Sequence, residues 1–315
     1  MMTEIKIISL IPSGTEIVCA LGLQKNIMGR SHECDFPHDI QQIPICTKSH
    51  IDSSADSKKI DEQVRYRLIN YLSIYELDMN LISQLNPNII ITQSQCNICA
   101  IDSEEVKKNV ASIISFSEKV KLVNLEANDL ETIFDDIQRI ANALEISSKG
   151  FSLITHMKNE IFNLNSKIHP LFNKPKIACI EWIDPLMAAG NWVPSLVELA
   201  GGENLFSIKG RPSSWLKAEK LISADPDIII VMACGFNIER TIKELNTFLK
   251  KKEFDNLKAI RNKQFFVTDA NHFFIRPGPR MVDSLKILCE IIHPEKFHPT
   301  YKGLEWQNYA ADIIK

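Results

Sequence analysis

The sequence predicts an α/β protein with two similar lobes joined by a single long rigid helix. Three observations predict it: continuous apolar strands alternate with helices, a long helical pattern lies near the middle, and the strand–helix pattern then restarts. Apolar strands that alternate with helices indicate parallel sheets covered on both faces. At roughly 150 residues per domain, 315 residues suffice for two domains. We expect an N-terminal lobe over 1–146, the joining helix over 147–170, a C-terminal lobe over 171–315 and a ligand cleft between the lobes.

The first lobe begins with an apolar strand over 6–11. Ser13 and Glu16 have the spacing of a capping box, in which two side chains close the first turn of a helix. A helix is therefore predicted from Ser13 to Gly22, and Asp78 is expected to begin a short helix that Asn86 and Pro87 end. The other predicted elements of this lobe are a helix over 60–72, strands over 89–91 and 119–125, and a helix over 129–144.

The second lobe repeats this order after a helix predicted over 147–168, which at 1.5 Å per residue is roughly 33 Å long. Its predicted elements are strands over 176–182, 228–232 and 264–268, and helices over 193–200, 218–223, 238–249 and 279–292. Residues 82–91 and 221–230 also share a proline and a triple isoleucine. Gene duplication explains this similarity, and so does the common form of a short helix before a buried strand.

Composition excludes several classes of function. Lys plus Arg number 36 against 39 Asp plus Glu, so the chain lacks the basic excess of a nucleic-acid-binding protein. No apolar run reaches the ~18 residues of a membrane span. The apolar run over 7–11 is broken by Ser9 and stopped by Pro12, unlike a secretory signal. With eight cysteines, which fit a reducing compartment, we expect a cytoplasmic protein.

Four cysteines directly follow predicted strands, at the edge where open parallel sheets bind ligands. They are Cys34, Cys96, Cys99 and Cys234. Thiolates prefer zinc, copper(I) or iron–sulfur clusters, so these residues are expected to hold a metal or to line a pocket. The other four lie among apolar neighbours, where cysteine packs as a small hydrophobic residue: Cys19, Cys46, Cys179 and Cys289.

Aromatic residues mark the loops of the second lobe. Trp182, Trp192 and Trp215 follow or flank its strands, and exposed tryptophans of this kind stack on large planar ligands. Packing between lobes is the alternative interpretation.

The loop over 271–280 carries two further candidates. His272 is expected to be a metal or axial ligand, or simply solvated, and Arg276 can clamp a carboxylate. His32 and His272 are substitute ligands if a thiol is out of reach of the metal. The sequence has no glycine-rich phosphate loop and no nucleophile elbow, so it does not predict a nucleotide enzyme or a serine hydrolase.

Five motifs resemble one known family over nearly the whole chain. They cover residues 8–17, 32–37, 87–100, 191–202 and 276–280. The chain resembles cobalamin-binding members of the periplasmic-binding-protein superfamily, which are receptors of cobalamin and iron–siderophore ABC importers. The resemblance implies two lobes with a rigid joining helix, a small-molecule ligand, and an importer permease as partner where the protein is exported.

Together these observations predict a binding protein that is not an enzyme. Its expected ligand is a corrinoid such as cobalamin, or a related metal chelate, held by the three tryptophans, His32, His272 and Arg276. Ser13, at a helix N-terminus, is expected to offer polar contacts to ligand amides. The alternative is a cytosolic redox or regulatory protein that carries a thiolate-bound metal or an iron–sulfur cluster.

Overall fold

A computed structural model of the chain describes residues 4–70, 73–93, 120–168, 173–249 and 254–312. These residues form two compact units. Unit 1 consists of the described residues within 1–55, 62–127 and 131–156, and unit 2 of those within 56–61, 128–130 and 157–315. The predicted cleft between the lobes stays a prediction.

The described part of unit 1 is built on a sheet of four parallel strands. In spatial order they are β2 (Ile27–Arg30), β1 (Ile7–Ser9), β5 (Ile89–Gln93) and β6 (Lys121–Leu125). A separate antiparallel pair consists of β3 (Thr47–Ser49) and β4 (Tyr75–Leu77). The central strands are apolar and buried on both faces, so the predicted parallel arrangement is confirmed in this unit.

Helices follow these strands in the predicted order. They are α1 (Pro12–Ala20), α2 (Ser57–Ile69), α3 (Met79–Leu85) and α4 (Leu130–Ala143), with short 3-10 turns at Gln24–Asn26 and His38–Gln42. The Asp78 side chain caps α3 by accepting the Leu81 N–H at 2.9 Å, as predicted.

The predicted capping box at the first helix is wrong. The N-cap residue is Ile11, no side chain caps the helix, and Pro12 is its first residue. Proline suits that position because its fixed φ is already helical and its missing N–H would have no partner there. Ser13 and Glu16 therefore lie two positions further into the helix than a capping box requires.

A continuous helix α5 (Ser147–Ile168) occupies the predicted joining segment. Residues 147–156 belong to unit 1 and residues 157–168 to unit 2. Among the residues described, no helix is both long enough and apolar enough to cross a membrane.

Unit 2 contains a mixed sheet rather than a fully parallel one. Its central strands β7 (Lys176–Trp182), β11 (Ile228–Val231) and β12 (Phe265–Thr268) are parallel. After β7 the chain turns back, so that β8 (Met187–Ala188) runs antiparallel beside it. The remaining short strands are β9 (Glu203–Asn204), which is parallel to β7, and β10 (Ser214–Trp215) and β13 (Trp306–Asn308), which are antiparallel to their neighbours. Strands of two or three residues lack the apolar run from which a strand can be predicted.

The described helices of unit 2 match the predicted ones within a few residues. They are α6 (Val193–Leu199), α7 (Ala218–Ala224), α8 (Ile238–Phe248), α9 (Lys258–Arg261), α10 (Met281–Ile292) and α11 (Tyr309–Asp312). Of these, α9 and α11 are single turns that the apolar pattern does not reveal.

Candidate functional site

The carboxyl edge of the unit 1 sheet carries a polar pocket, which lies where β1, β2 and β5 end and against the β3–β4 pair. It holds about 360 Å³ of space that is open to solvent. Its lining residues are Leu10, Ile11, Pro12, Ser31, His32, Glu33, Thr47, Tyr75, Thr92 and Gln93. Open parallel sheets bind their ligands at this edge, so the pocket is the candidate site of unit 1.

His32 is fixed in the wall of this pocket by Thr47. The Thr47 Oγ1 atom lies 2.9 Å from the His32 backbone nitrogen and 2.6 Å from its ring Nδ1. The Tyr75 ring lies beside the imidazole, with centroids 5.3 Å apart and planes tilted by 51°. Burial lowers the pKa of His32 below its ordinary value; Glu33 opposes this change and Arg30 adds to it. The imidazole is therefore neutral at neutral pH.

A chain of hydroxyl groups continues from Thr47 along the rim. Thr47 Oγ1 donates to Ser31 Oγ at 3.3 Å, and Ser31 Oγ accepts the Glu33 N–H at 3.2 Å. The Tyr75 hydroxyl donates to Glu33 Oε1 at 3.0 Å. The pocket thus presents several hydrogen-bonding groups whose positions are set by one another.

Arg30 holds the loop that carries these residues. Its guanidinium group donates four hydrogen bonds of 2.9–3.1 Å to main-chain carbonyl oxygens between residues 31 and 43. The side chain is buried, and each of the carbonyl oxygens it contacts belongs to the segment after β2. Hydrogen bonds to a charged group are stronger than neutral ones, so Arg30 fixes the loop and, through it, His32.

Ser13 lies in the first turn of α1, beside a residue that lines the pocket, Pro12. Its side chain is buried, so its polar contact with ligand amides stays a prediction. The close approach of this turn to the sheet requires glycine at position 14, because a Cβ atom there would lie 2.7 Å from Ile91 Cγ2.

Cys34 is buried behind the pocket, where its Sγ accepts the Thr15 hydroxyl at 3.1 Å. Cys234 directly follows β11 in unit 2, and its N–H donates to the Glu181 carbonyl at 3.0 Å. Cys96 and Cys99 lie outside the described residues. One metal bound by all four thiols stays a prediction, and the candidate metal group among the described residues includes no thiol.

The cysteines predicted to lie in the core are buried in three of four cases: Cys46, Cys179 and Cys289. Cys19 is half-buried. Burial raises the pKa of Cys46 to about 11 and of the other three to about 12. At neutral pH these thiols are protonated, as structural cysteines are.

The three candidate tryptophans of unit 2 have different environments. Trp215 is 54% exposed. Trp182 is half-buried against Phe236, with centroids 5.3 Å apart, and its Nε1 has no hydrogen-bond partner in the part of the chain described. Trp192 is buried, and its Nε1 donates to the Phe274 carbonyl at 2.7 Å. The expected exposure is therefore wrong for Trp192, whose indole anchors the 271–280 loop; its contact with a ligand stays a prediction.

The 271–280 loop places His272 in a group with two carboxylates. His272 Nδ1 lies 3.3 Å from Asp269 Oδ2, and one ligand atom each of Asp269, His272 and Glu305 lie within 4.8 Å of one another. One nitrogen and two oxygen donors suit a divalent cation. Burial, and then repulsion by Asp269, raises the pKa of Glu305. Arg276 is buried in this loop, and its clamping of a carboxylate stays a prediction.

Sequence reasoning missed Thr47, Tyr75 and Glu33 as pocket residues. Thr47 and Tyr75 stand in strands of three residues that no apolar pattern marks, and only the pairing of β3 with β4 brings them together. Glu33 adjoins a predicted site residue, His32, and that adjacency is the one signal the sequence offered.

A model of the periplasmic binding protein family matches residues 7–272. The chain belongs to that family. The predicted family and α/β fold class are therefore confirmed. Because it is a family of binding proteins, the prediction that the chain is not an enzyme is also confirmed.

Relatives of this family resemble the chain over almost its full length. The vitamin B12-binding protein of Vibrio parahaemolyticus serotype O3:K6 is 21% identical over 294 residues, which cover 90% of this chain and 88% of that protein. The structure of a possible iron-binding periplasmic solute-binding protein from Staphylococcus epidermidis has a TM-score of 0.69 at 22% identity, covering 91% and 98% of the two chains. The periplasmic heme-binding protein RhuT from Roseiflexus has a TM-score of 0.68 at 19% identity, covering 92% and 98%.

Proposed function

We propose that the chain binds a corrinoid such as cobalamin, or a related metal chelate. The observation that carries the proposal is the polar pocket of unit 1, where three parallel strands end and hydroxyl, amide and imidazole groups converge. The corrin ring carries amide side chains around its edge, which pair with hydroxyl and amide groups of this kind. The ring itself is a large planar surface that an exposed indole such as Trp215 can cover.

The names of the relatives support this ligand class. They describe a protein that binds vitamin B12, one that binds heme and one possible iron-binding protein. In vitamin B12 and in heme, a macrocycle holds the metal. We propose the same class for this chain, with Trp182, Trp215 and the residues around His32 as contacts.

Partner and location follow the same reasoning. We propose that the protein is located in the cytoplasm, where its thiols stay reduced. If the protein is exported, we propose an ABC importer permease as its partner. Free cysteines such as Cys179 and Cys289 fit a reducing compartment. Fractionation of cells that make the untagged protein tests this location, and recovery in the periplasmic or membrane fraction would contradict it.

A titration tests the ligand class. Aquocobalamin, cyanocobalamin and haemin are each added to the purified protein up to ~100 μM, well above the micromolar Kd that corresponds to ~8 kcal/mol. We expect at least one of them to quench tryptophan fluorescence and to be retained on dialysis. Retention of none of the three would overturn the proposal.

Two tyrosine variants make the test specific for the pocket. Tyr75→Phe removes the hydroxyl group that binds Glu33, whereas Tyr66→Phe changes an exposed tyrosine of the same unit that does not line the pocket. We expect only Tyr75→Phe to weaken retention, by about fivefold for one hydrogen bond. Equal effects of the two variants would place the ligand elsewhere.

A further inference from the structure

His32 keeps one ring nitrogen for a ligand. Its imidazole lines the unit 1 pocket, and Nδ1 lies 2.6 Å from Thr47 Oγ1. Nε2, on the opposite side of the ring, makes no hydrogen bond within the described residues. It is also not among the buried polar atoms that lack a partner, so it is open to the pocket. An unprotonated Nε2 at this position would present its lone pair to the contents of the pocket.

One arrangement of the hydrogen bonds of Thr47 leaves Nε2 unprotonated. In it, the single hydroxyl proton of Thr47 is donated to Ser31 Oγ at 3.3 Å. The Thr47 oxygen then has two lone pairs, and its two remaining neighbours are the His32 backbone N–H at 2.9 Å and the ring Nδ1 at 2.6 Å. In this arrangement both neighbours donate, so the proton of the neutral imidazole is on Nδ1 and the lone pair is on Nε2.

This arrangement is the one that metal-binding histidines adopt. A histidine that binds a metal through one nitrogen almost always donates the other N–H to an oxygen, which fixes the orientation of the ring. Thr47 supplies that oxygen, and the Tyr75 ring restrains the imidazole from one side at 5.3 Å. Burial of the His32 ring also disfavours its protonation, because burial lowers its pKa.

We propose that His32 Nε2 binds the metal of the chelate from an axial position. The proposal rests on the proposed function and narrows its ligand class to metal chelates with an exchangeable axial ligand. With aquocobalamin, the cobalt–water bond breaks, water leaves, and the Nε2 lone pair forms the new cobalt–nitrogen bond. No electron is transferred, cobalt stays trivalent, and no proton moves because Nε2 carries none.

The proposal predicts that two cobalamins bind with different affinities and different spectral changes. Cyanocobalamin holds cyanide at the position that water occupies in aquocobalamin, and cyanide exchanges far less readily. We expect the protein to prefer aquocobalamin by about tenfold in Kd, which corresponds to ~1.4 kcal/mol. We also expect the visible spectrum of aquocobalamin, but not that of cyanocobalamin, to change on binding.

The experiment compares His32→Gln with His50→Gln. His50 is a partly exposed histidine of the same unit, 3.8 Å from Glu76, and it does not line the pocket. In the wild-type protein and in His50→Gln, the aquocobalamin spectrum should shift as nitrogen replaces water. In His32→Gln the shift should disappear and the ratio of the Kd values for cyanocobalamin and aquocobalamin should fall to near unity. Circular dichroism confirms that each variant is folded.

A second variant guards against a folding defect. In His32→Gly, added imidazole should restore the spectral shift, because it can occupy the space of the missing side chain and offer the same nitrogen. Haemin provides a parallel measurement, since a nitrogen ligand at its iron moves the Soret band.

The two proposals fail in different ways. If none of the three chelates is retained, the proposed function is wrong. If aquocobalamin or haemin is retained but its spectrum changes equally in wild type and His32→Gln, or does not change in either, the proposed function stands and the axial role of His32 is wrong.

Discussion

Asn86 and Asp225 occupy equivalent positions in the two units, each ending a seven-residue helix in the left-handed conformation. Their φ angles are 48° and 42°, and they follow Met79–Leu85 and Ala218–Ala224. In each case a proline follows and then a buried strand, β5 or β11. The sequence similarity between 82–91 and 221–230 thus corresponds to the same backbone geometry in both units.

The equivalence extends to the first strand of each sheet. The Asn88 side chain accepts the Lys6 N–H at 2.9 Å, and the Asp227 side chain accepts the Lys176 N–H at 2.8 Å. Each bond joins the residue just before β5 or β11 to the beginning of the neighbouring strand, and so sets the register of that pair. The two units share this element of construction although their sheets differ at the edges.

Replacing the two left-handed residues by glycine should have opposite effects. Asn86→Gly removes the steric cost of a positive φ, and the Asn86 side chain makes no hydrogen bond within the described residues, so stability should stay unchanged or rise slightly. Asp225→Gly also loses the acceptor of the Lys258 N–H at 2.7 Å, so unit 2 should lose about 1 kcal/mol.

Urea unfolding measures both effects. The four tryptophans are Trp182, Trp192, Trp215 and Trp306, which all lie in unit 2. Their fluorescence reports on Asp225→Gly, whereas far-UV circular dichroism is needed for Asn86→Gly in unit 1. A larger loss for Asn86→Gly than for Asp225→Gly would contradict the prediction.

Arg30→Lys should loosen the pocket although lysine keeps the charge. A lysine cannot reproduce the planar fork that contacts four carbonyl oxygens. We expect unit 1 to lose about 2–3 kcal/mol and the protein to bind its chelate more weakly. The matched control is Arg67→Lys, because Arg67 contacts a single carbonyl oxygen, that of Ser73. Equal destabilisation by the two changes would show that the Arg30 contacts do not hold the loop.

Asp136 should make the stability of unit 1 depend on mildly acidic pH. Burial raises its pKa from 3.8 to about 6, although the N–H groups of Glu126 and Ala127 and the charge of Arg139 oppose this change. Since the folded pKa exceeds the unfolded one, the group favours folding most below pH 4, and this contribution is lost as the pH rises to about 6.

An amide in place of this carboxyl group should remove the dependence. In Asp136→Asn the side-chain oxygen can still accept both N–H groups, but nothing titrates. The stability of the variant relative to wild type should therefore increase between pH 4 and pH 7, by at most about 3 kcal/mol. Unfolding midpoints at three pH values test this. A relative stability that is constant with pH would contradict it.

Trp192→Phe and Trp215→Phe should separate packing from ligand contact. Trp192→Phe leaves the buried Phe274 carbonyl without its donor, so unit 2 should lose about 1–3 kcal/mol. Trp215→Phe changes a side chain that is 54% exposed, so stability should change by less than about 0.5 kcal/mol while chelate binding weakens. Thermal unfolding and the cobalamin titration distinguish the two, and normal binding by Trp215→Phe would exclude that indole as a contact.

The sequence predicted long elements well because their apolar patterns are long. The strand over 176–182 and the helix over 147–168 have the predicted bounds, and Asp78 begins its helix through the predicted side-chain cap. Such features depend on residues close together in the chain, whose spacing reveals their conformation.

The site was only partly predictable because it depends on pairing between distant residues. His32 was selected from its place after a strand, but its partners Thr47 and Tyr75 come from two short strands that meet only in the fold. The capping box failed for a local reason: Ser13 has suitable chemistry, yet Pro12 before it is already helical, so the N-cap is Ile11, two residues earlier. The predicted exposure of Trp192 failed for a long-range reason, since nothing near it in sequence reveals that its indole reaches the Phe274 carbonyl.

The contacts of Arg30 suggest how this pocket can be altered by design. Every bond that its side chain makes to the following loop ends on a carbonyl oxygen, which all residues possess. The exposed side chains of residues 35–42, unlike that of the buried Ile40, are therefore open to exchange without moving His32, and Phe36, which is 43% exposed, offers the largest apolar surface among them. A library that varies these exposed positions and keeps Arg30 would change the surface of the loop next to the pocket while the imidazole stays where it is.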